Sequence, residues 1–207
     1  MSREHWDHVY ASRVPEEVSW FRPHLERSIG FLQAARVRPG AAVIDVGGGA
    51  STFVDDLLDR GYENVTVLDL SEAALAAARS RLGHRASRVR WLRADVTEAA
   101  LEPAAYDFWH DRAVFHFLRD PAARARYVAG VRRSLKPGGH VVVATFGPHG
   151  PETCSGLDVM RYSPEELHAQ FGADFARLAS ATERHVTPRG TEQEFIYCYC
   201  RMPGTTA

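Results

Sequence analysis

The stretch VIDVGGGAST at residues 43–52 decides the fold of this chain. Four residues of strand character lead directly into three glycines, and a helical spacing of apolar residues begins at Phe53. Glycines in such a turn let the backbone take a positive φ and approach a ligand closely. The helix that follows points free N–H groups and the positive end of its dipole at the turn. We therefore expect a nucleotide-like ligand at the carboxyl end of this first strand.

Strand and helix patterns alternate along the rest of the chain. Short apolar or β-branched runs predict strands at 43–46, 65–69, 89–92, 106–109 and 140–146, with helices between them. Helix N-caps are predicted at Ser71, Asp120 and Ser163. Two later strand-like runs, 178–186 and 194–200, flank a turn at 188–190. These patterns predict an α/β, Rossmann-like fold: a seven-stranded, mostly parallel sheet with a C-terminal antiparallel hairpin and helices on both faces.

Length and composition indicate one domain. The 207 residues are 45% hydrophobic, which is enough for a sizeable core. We predict a single domain at 1–207, in which residues 1–35 form a helical lid and residues 36–207 form the catalytic core. The lid hypothesis depends on the aromatic residues of the lead-in. The alternative is that these helices simply pack on the edge of the sheet.

Several classes of function are disfavoured by composition. The net charge of -1 provides no basic surface for nucleic acid, and no run approaches the roughly 18 apolar residues of a membrane span. The first residues lack the pattern of a secretory signal, and three cysteines do not form an even disulfide framework, so a cytoplasmic location is expected. Cys198 and Cys200 have no further ligands nearby in sequence, and no metal is expected. The sequence does not indicate an oligomeric state.

Acidic residues follow the early strands at the same predicted edge of the sheet. They are Asp45, Asp69 and Asp95, and Asp69 lies 24 residues after Asp45. That spacing suits a carboxylate that accepts hydrogen bonds from ribose hydroxyls. Thr52 occupies the third position of a Gly-x-Gly-x-x-Gly dinucleotide pattern, and the Gly-Lys-Ser/Thr of a P-loop is absent. A carboxylate at Asp45 would repel a pyrophosphate but suits a cationic ligand that carries an ammonium and a sulfonium.

The chain resembles the class I S-adenosylmethionine-dependent methyltransferases from about residue 36 to residue 201. The matching segments are VIDVGGG at 43–49, LDLS at 68–71, RAD at 93–95, YD at 106–107 and LKPGG at 135–139, together with the closing antiparallel pair. The resemblance implies S-adenosylmethionine as cofactor and S-adenosylhomocysteine as product. It implies that Gly47 and Gly49 approach the methionine part, that Asp69 holds the ribose, and that Asp95 and Val96 contact the adenine. Ser51 stands where many members have a third glycine. The complete predicted cofactor site is Asp45, Gly47, Gly48, Gly49, Ser51, Asp69, Leu70, Asp95, Val96 and His110.

The segment after the fourth strand, WHDRAVFH at 109–116, is predicted to lie where the acceptor meets the methyl group. Methyl transfer depends mainly on placing the nucleophile, and a general base matters when the acceptor holds its proton near neutral pH. His116 is our first candidate for a base and Asp111 the second. A packing role for His116 is the alternative. Arg112 is predicted either to bind an anionic acceptor or to pair with Asp111.

The acceptor is expected to contact two further regions. The lead-in contributes Tyr10 and Trp20, and the long loop at 147–162 contributes His149, Cys154 and Arg161. Cys154 is interpreted either as a contact for a soft acceptor or as a buried packing residue.

Three functions are compatible with these patterns. The first is methyl transfer to a nitrogen, oxygen or sulfur of a small molecule, because the chain has no added recognition domain. The second is a protein-lysine methyltransferase, which the aromatic lead-in resembles, so a protein substrate stays possible. The third is a non-enzymatic module that only binds the cofactor. A nucleic-acid methyltransferase is disfavoured because HDR at 110–112 stands where an Asn-Pro-Pro-Tyr motif is expected.

Overall fold

The computed structural model describes residues 2–12 and 14–204 and contains the predicted seven-stranded sheet. The strands in chain order are β1 (Ala42–Val46), β2 (Asn64–Asp69), β3 (Val89–Arg93), β4 (Tyr106–Arg112), β5 (Leu135–Phe146), β6 (Thr153–Cys154), β7 (Leu157–Asp158), β8 (Ala176–Val186) and β9 (Glu192–Arg201). The large sheet has the order β3-β2-β1-β4-β5-β9-β8, and β6 and β7 form a separate small hairpin. The predicted fold class is therefore confirmed.

The direction of the strands brings the predicted site together. Strands β1 to β5 pair in parallel, while β9 is antiparallel to β5 and β8 is antiparallel to β9. The chain builds β2 and β3 on one side of β1 and then returns to place β4 on the other side. Such a switch in strand order opens a crevice at the carboxyl ends of the central strands. Asp45 and His110 are register partners at this crevice.

Helices cover both faces of the sheet. They are α1 (Arg3–Ser12), α2 (Glu26–Ala34), α3 (Phe53–Asp59), α4 (Glu72–Leu82), α5 (Pro121–Ser134) and α6 (Pro164–Phe171), with short 3₁₀ turns at Pro15–Glu17, Gly83–Arg88 and Phe115–Phe117. Residues of α1 to α4 belong to one apolar cluster, and residues of α5 and α6 belong to the other. The neighbours Phe108 and Trp109 on β4 are both fully buried in opposite clusters, because successive strand side chains alternate between faces.

The predicted helix caps are confirmed. The Ser71 hydroxyl accepts a hydrogen bond from Ala74 N–H at 3.2 Å, and the Asp120 carboxylate accepts from the first turn of α5. Ser163 and Glu166 form the reciprocal capping box at the start of α6. Each cap satisfies N–H groups that lack a partner within the helix.

Several strands, most of all β4 and β5, are longer than the sequence suggested, and one hairpin was missed. β4 continues from the predicted end at residue 109 to Arg112, because its last three polar side chains all find buried partners. β5 begins at Leu135, five residues before the predicted start at 140. The predicted loop at 147–162 contains the hairpin of β6 and β7, whose turn residues Ser155 and Gly156 have φ of 50° and 77°. Met1, Arg13 and residues 205–207 of the predicted domain lie outside the described residues.

The glycine turn tests this packing directly. A Cβ added at Gly49 would lie 2.4 Å from the Ala74 Cβ and 2.6 Å from Asp69 Oδ2. We expect Gly49→Ala to lower the free energy of unfolding by about 1–3 kcal/mol, because buried neighbours have to shift. Urea denaturation measures the change. Gly30→Ala in α2 is the matched control, since a Cβ there meets nothing within 4 Å and alanine favours a helix. Equal stability of the two variants would contradict the close packing at the turn.

Candidate active site

The glycine turn and Asp69 form one hydrogen-bonded unit. Gly47 takes a φ of 67°, and its N–H donates to Leu68 O at 2.7 Å. Asp69 Oδ2 accepts from Gly49 N–H at 2.9 Å, and Oδ1 accepts from Ser71 N–H at 2.8 Å. Burial is the main reason that the pKa of Asp69 rises to about 6, against the opposing effect of these hydrogen bonds. Each carboxylate oxygen keeps a lone pair that can accept from a ligand.

A cavity lies beside this unit at the carboxyl ends of β1 to β4. Its floor and walls come from strand ends and the glycine turn, and its far side comes from the N-terminal segment. The lining residues are Trp6, Tyr10, Pro15, Val18, Trp20, Phe21, Arg22, Leu25, Asp45, Val46, Gly47, Ala50, Ser51, Thr52, Leu68, Asp69, Leu70, Ala94, Asp95, Val96, His110, Arg112, Ala113, Val114, Phe117 and Cys154. The cavity thus joins an acidic end near the glycines to an aromatic end.

Asp45 is the most deeply buried acid of the lining. Its Oδ1 lies 2.7 Å from His110 Nδ1, while its Oδ2 has no hydrogen-bond partner among the described residues. The other ring nitrogen of His110, Nε2, lies 2.8 Å from Ser28 Oγ, and Phe53 packs against the ring with centroids 4.1 Å apart. A buried carboxylate oxygen without a partner is costly unless a donor reaches it. Asp45 therefore keeps one buried oxygen without a hydrogen-bond partner among the described residues, in a residue that lines the cavity.

Asp95 lies at the β3 side of the cavity. Its Oδ1 accepts from Thr97 N–H at 2.8 Å and from the Thr97 hydroxyl at 2.7 Å, which fixes the turn after β3. The carboxylate keeps further lone pairs for a donor such as an exocyclic amine. Val96 beside it is buried and supplies an apolar surface.

Aromatic rings, most of them from the N-terminal segment, line part of the cavity. The ring centroids of Trp6, Tyr10 and Trp20 lie 6.1–6.2 Å from one another, and Phe117 lies 5.1 Å from Trp6 in an edge-on arrangement. Burial, with a further contribution from the charge of Asp69, raises the pKa of Tyr10 well above its ordinary value. Tyr10 therefore stays protonated in the physiological pH range.

Side chains of the core form hydrogen bonds with backbone atoms of the N-terminal segment between residues 19 and 25. His185 Nε2 donates to Ser19 O at 2.7 Å, and Arg112 Nη1 donates to Trp20 O at 2.9 Å. Two further bonds follow, from the Thr52 hydroxyl to Arg22 O at 2.7 Å and from Leu25 N–H to Asp56 Oδ2 at 2.9 Å. Asp7 of α1 accepts from the Ser71 hydroxyl at 2.6 Å, and this bond lowers the pKa of Asp7.

Arg112 is a buried cation at the aromatic end. Its Nε donates to the Tyr197 hydroxyl at 3.1 Å, and its Nη2 lies 3.7 Å from Glu183 Oε1. The guanidinium also lies 4.3 Å from the centroid of the Phe195 ring. The predicted pairing with Asp111 is wrong, because these two side chains leave β4 on opposite faces and the acidic partner of Arg112 is Glu183 on β8.

Most predicted cofactor residues meet at the cavity. Those that line it are Asp45, Gly47, Ser51, Asp69, Leu70, Asp95, Val96 and His110. Gly48 and Gly49 lie behind the lining, where a Cβ would clash with Asp45 and Asp69 respectively. Of the predicted acceptor residues, Tyr10, Trp20, Arg112 and Cys154 line the cavity.

The two predicted catalytic residues do not lie at the cavity. Asp111 is fully buried on the face of the sheet that α5 covers. There its Oδ2 accepts from the Tyr127 hydroxyl at 2.7 Å, and its Oδ1 accepts from Val114 N–H. His116 is also fully buried, and its Nδ1 accepts from Phe146 N–H at 3.3 Å. Burial lowers the pKa of His116 to about 3. Both residues support the segment after β4, and neither is placed to take a proton from an acceptor.

Two predicted acceptor residues also lie elsewhere. His149 is exposed, and its backbone N–H donates to Glu194 Oε1 at 3.0 Å. Arg161 is exposed and pairs with Glu152 at 2.9 Å. The loop turns these side chains outward because the β6–β7 hairpin, which presents Cys154 inward, takes the position beside the cavity.

Sequence reasoning missed Ser28, Trp6 and Phe117 as site residues. Trp6 and Phe117 line the cavity, and Ser28 completes the network behind Asp45. The aromatic character of the lead-in was a signal for Trp6. Ser28 lies in a helix 82 residues before His110, and no local pattern points to that contact.

Metal and membrane features are absent from the described part of the chain. No cluster of three or more His, Cys, Asp or Glu side chains within it is arranged to hold a metal ion. None of its helices combines the length and the apolar character needed to cross a bilayer.

The strand order, the glycine turn and the acids at the strand ends define an α/β protein with a nucleoside-type cavity at its topological switch point. Residues 43–139 match a family described as "Methyltransferase domain". A solved structure of Burkholderia thailandensis 1,6-didemethyltoxoflavin-N1-methyltransferase, with bound 1,6-didemethyltoxoflavin and S-adenosylhomocysteine, superimposes with a TM-score of 0.69 at 22% identity and covers 98% of this chain and 84% of that one. Residues 43–139 therefore carry a methyltransferase domain, and the chain as a whole has the fold of solved S-adenosylmethionine-dependent methyltransferases.

Curated relatives have different acceptors. The eEF1A lysine and N-terminal methyltransferase of Danio rerio is 24% identical over 148 residues, which is 70% of this chain and 21% of the relative. The malonyl-[acyl-carrier protein] O-methyltransferase of Paenibacillus sp. (strain JDR-2) is 32% identical over 111 residues, which is 52% of this chain and 39% of the relative. This chain therefore spans about a fifth of the first relative and well under half of the second. These matches support methyltransferase activity and leave both protein and small-molecule acceptors open.

The placement of His116 predicts an acid-sensitive contribution to stability. Its pKa is about 3 in the folded protein and 6.5 in the unfolded chain, so its contribution is complete above pH 6.5 and is lost as the pH falls towards 3. His116→Asn keeps an acceptor for Phe146 N–H but cannot become charged. Between pH 7 and pH 4.5 we expect the wild type to lose about 2 kcal/mol more than this variant. Urea denaturation at both pH values measures the difference, and equal losses would contradict the neutral, buried histidine.

Proposed function

We propose that this protein transfers a methyl group from S-adenosylmethionine to a nitrogen, oxygen or sulfur nucleophile of a small molecule. The main support is one observation: the lining of the cavity combines three carboxylates at the strand ends with aromatic rings of the N-terminal segment. The first set suits a cationic nucleoside, and the second suits a compact apolar or aromatic acceptor.

The residues present fit the cofactor. Asp69 has lone pairs for the ribose hydroxyls, and the unpartnered Oδ2 of Asp45 suits the ammonium of the methionine part. Asp95 and Val96 would hold the adenine, and Gly47 leaves space at the turn. S-adenosylmethionine supplies a methyl carbon that its sulfonium already activates. The contribution of the protein is then to orient the acceptor and exclude water.

The lining favours acceptors that need little help from a base. Within the described lining, the one histidine is His110, and both of its ring nitrogens are hydrogen-bonded. Tyr10 stays protonated because of its raised pKa. A thiolate, a neutral amine or another nucleophile that is already deprotonated at the working pH fits this environment best. Arg112 and Cys154 are proposed to contact the acceptor.

The N-terminal stretch up to residue 35 is proposed as a lid on a catalytic core within one domain. Its aromatic rings contact the cavity, and its backbone is held by core side chains. We also propose a cytoplasmic protein, because its three cysteines do not form an even disulfide framework. The net charge of -1 argues against a nucleic-acid partner.

A protein-lysine methyltransferase is the second candidate function. The relatives described as eEF1A lysine methyltransferases support it. The position of Trp6, Tyr10 and Trp20 argues against it, because a lysine side chain on a folded protein would have to reach past these packed rings. A module that binds the cofactor without catalysis is the third candidate.

Cofactor binding should depend on the charge of Asp69. Ribose hydroxyls donate to the ionised carboxylate, so the affinity for S-adenosylhomocysteine should be complete well above pH 6 and fall by up to tenfold per pH unit below it. Asp69→Asn should weaken binding at pH 8 by about tenfold or more and remove this pH dependence. Isothermal titration calorimetry between pH 5 and pH 8 measures both effects.

Asp158→Asn is the control for this experiment, because Asp158 is an exposed acid whose partner is Arg119. It should behave as the wild type at every pH. A wild type that does not bind S-adenosylhomocysteine would overturn the proposed cofactor, and an unchanged Asp69→Asn variant would overturn the role of the carboxylate.

Methyl-labelled cofactor distinguishes the candidate functions. We expect label in low-mass products when the protein is incubated with a panel of thiols, amines, carboxylic acids and phenols. Label in protein bands of a cell lysate would instead support the lysine methyltransferase. Binding of the cofactor with no transfer to either pool would support the non-enzymatic module.

A further inference from the structure

Three buried polar side chains form a chain of hydrogen bonds that ends at the cavity. Ser28 on α2 lies 2.8 Å from His110 Nε2, and His110 Nδ1 lies 2.7 Å from Asp45 Oδ1. Ser28 and His110 have no exposed surface, and Asp45 is 1% exposed. The remaining oxygen of Asp45, Oδ2, has no partner among the described residues although it belongs to a residue that lines the cavity.

The direction of each hydrogen bond in this series follows from the chemistry of Asp45 at one end and Ser28 at the other. An ionised carboxylate only accepts hydrogen bonds, so Nδ1 of His110 carries a proton and donates it to Asp45. With Nδ1 donating to Asp45, Nε2 serves as the acceptor for the Ser28 hydroxyl, and this second hydrogen bond fixes the orientation of the ring. Phe53 packs against the ring at a centroid distance of 4.1 Å and restricts its rotation. Asp45 therefore accepts a hydrogen bond from His110, and the contacts of the imidazole with Ser28 and Phe53 fix the direction of that bond.

We propose that Ser28 and His110 are positioning residues, which orient Asp45 so that its Oδ2 receives the ammonium group of the cofactor. This inference rests on the proposed cofactor, and it assigns to His110 an indirect role in place of the direct contact that the sequence suggested. Ser28 does not line the cavity, so it acts only through the imidazole. Partners of this kind fix the tautomer and orientation of the group that touches the ligand.

Removing the Ser28 hydroxyl should affect one part of the ligand and not the other. In Ser28→Ala the Nε2 atom loses its partner, so the imidazole is hydrogen-bonded at one end only and holds Asp45 less firmly in position. The ammonium end of the ligand should then bind less well. The adenosine end contacts Asp69, Asp95 and Val96, which are not part of this hydrogen-bonded chain.

The experiment compares two ligands by calorimetry. S-adenosylhomocysteine carries the ammonium group, whereas 5′-methylthioadenosine keeps the adenosine and the thioether sulfur but lacks the amino-acid end. We expect Ser28→Ala to lower the affinity for the first ligand three- to tenfold and to change the affinity for the second by less than twofold. Ser134→Ala is the matched control, because Ser134 is a fully buried helix serine whose hydroxyl has no hydrogen-bond partner among the described residues. It should bind both ligands as the wild type does.

The outcomes separate the two proposals. Equal weakening of both ligands in Ser28→Ala, or no weakening of either, overturns the positioning role and leaves the proposed function standing. A wild type that binds neither ligand overturns the proposed function and this inference with it. The second measurement is independent of any variant: ¹⁵N NMR of the wild-type imidazole should show His110 protonated at Nδ1 and not at Nε2. The opposite tautomer would overturn the proposed arrangement.

Discussion

The hydrogen bond from Gly49 N–H to Asp69 Oδ2 is the constraint on which the rest of the site depends. It forms only because residue 49 has no side chain, since a Cβ would lie 2.6 Å from that oxygen. The bond ties the end of β2 to the turn after β1, and the second oxygen of Asp69 ties the same strand end to the start of α4 through Ser71. A buried acid thereby organises three consecutive elements, and its raised pKa reflects the electrostatic cost of that position.

Two chemically different sets of residues line the cavity. One set consists of carboxylates at the strand ends, and the other consists of aromatic rings of the N-terminal segment. The parallel sheet supplies the first set, because strands β1 to β3 end at one edge. The second set comes from a segment before the sheet, so the acceptor end can change while the cofactor end stays the same. The differing acceptors of the relatives agree with such a division.

Local signals in the sequence were sufficient for most of the fold and for naming residues of the strand ends and the glycine turn that line one cavity. Ser71, Asp120 and Ser163 predicted helix starts because a cap acts within three residues. The roles of Asp111 and His116 were not predictable in this way, since their burial depends on Tyr127 and Phe146, which belong to other elements. The hairpin at 153–158 did carry a signal, because Ser-Gly is a favourable two-residue turn, but the loop around it obscured the pattern.

The attachment of the N-terminal segment has an evolutionary consequence. His185, Arg112 and Thr52 all bind carbonyl oxygens of the segment, at Ser19, Trp20 and Arg22 respectively. Main-chain oxygens are present whatever side chain a residue carries. Substitutions at positions 19, 20 and 22 can therefore reshape this wall of the cavity without loosening the anchorage of the segment, so the cavity can change by single mutations that leave the scaffold intact.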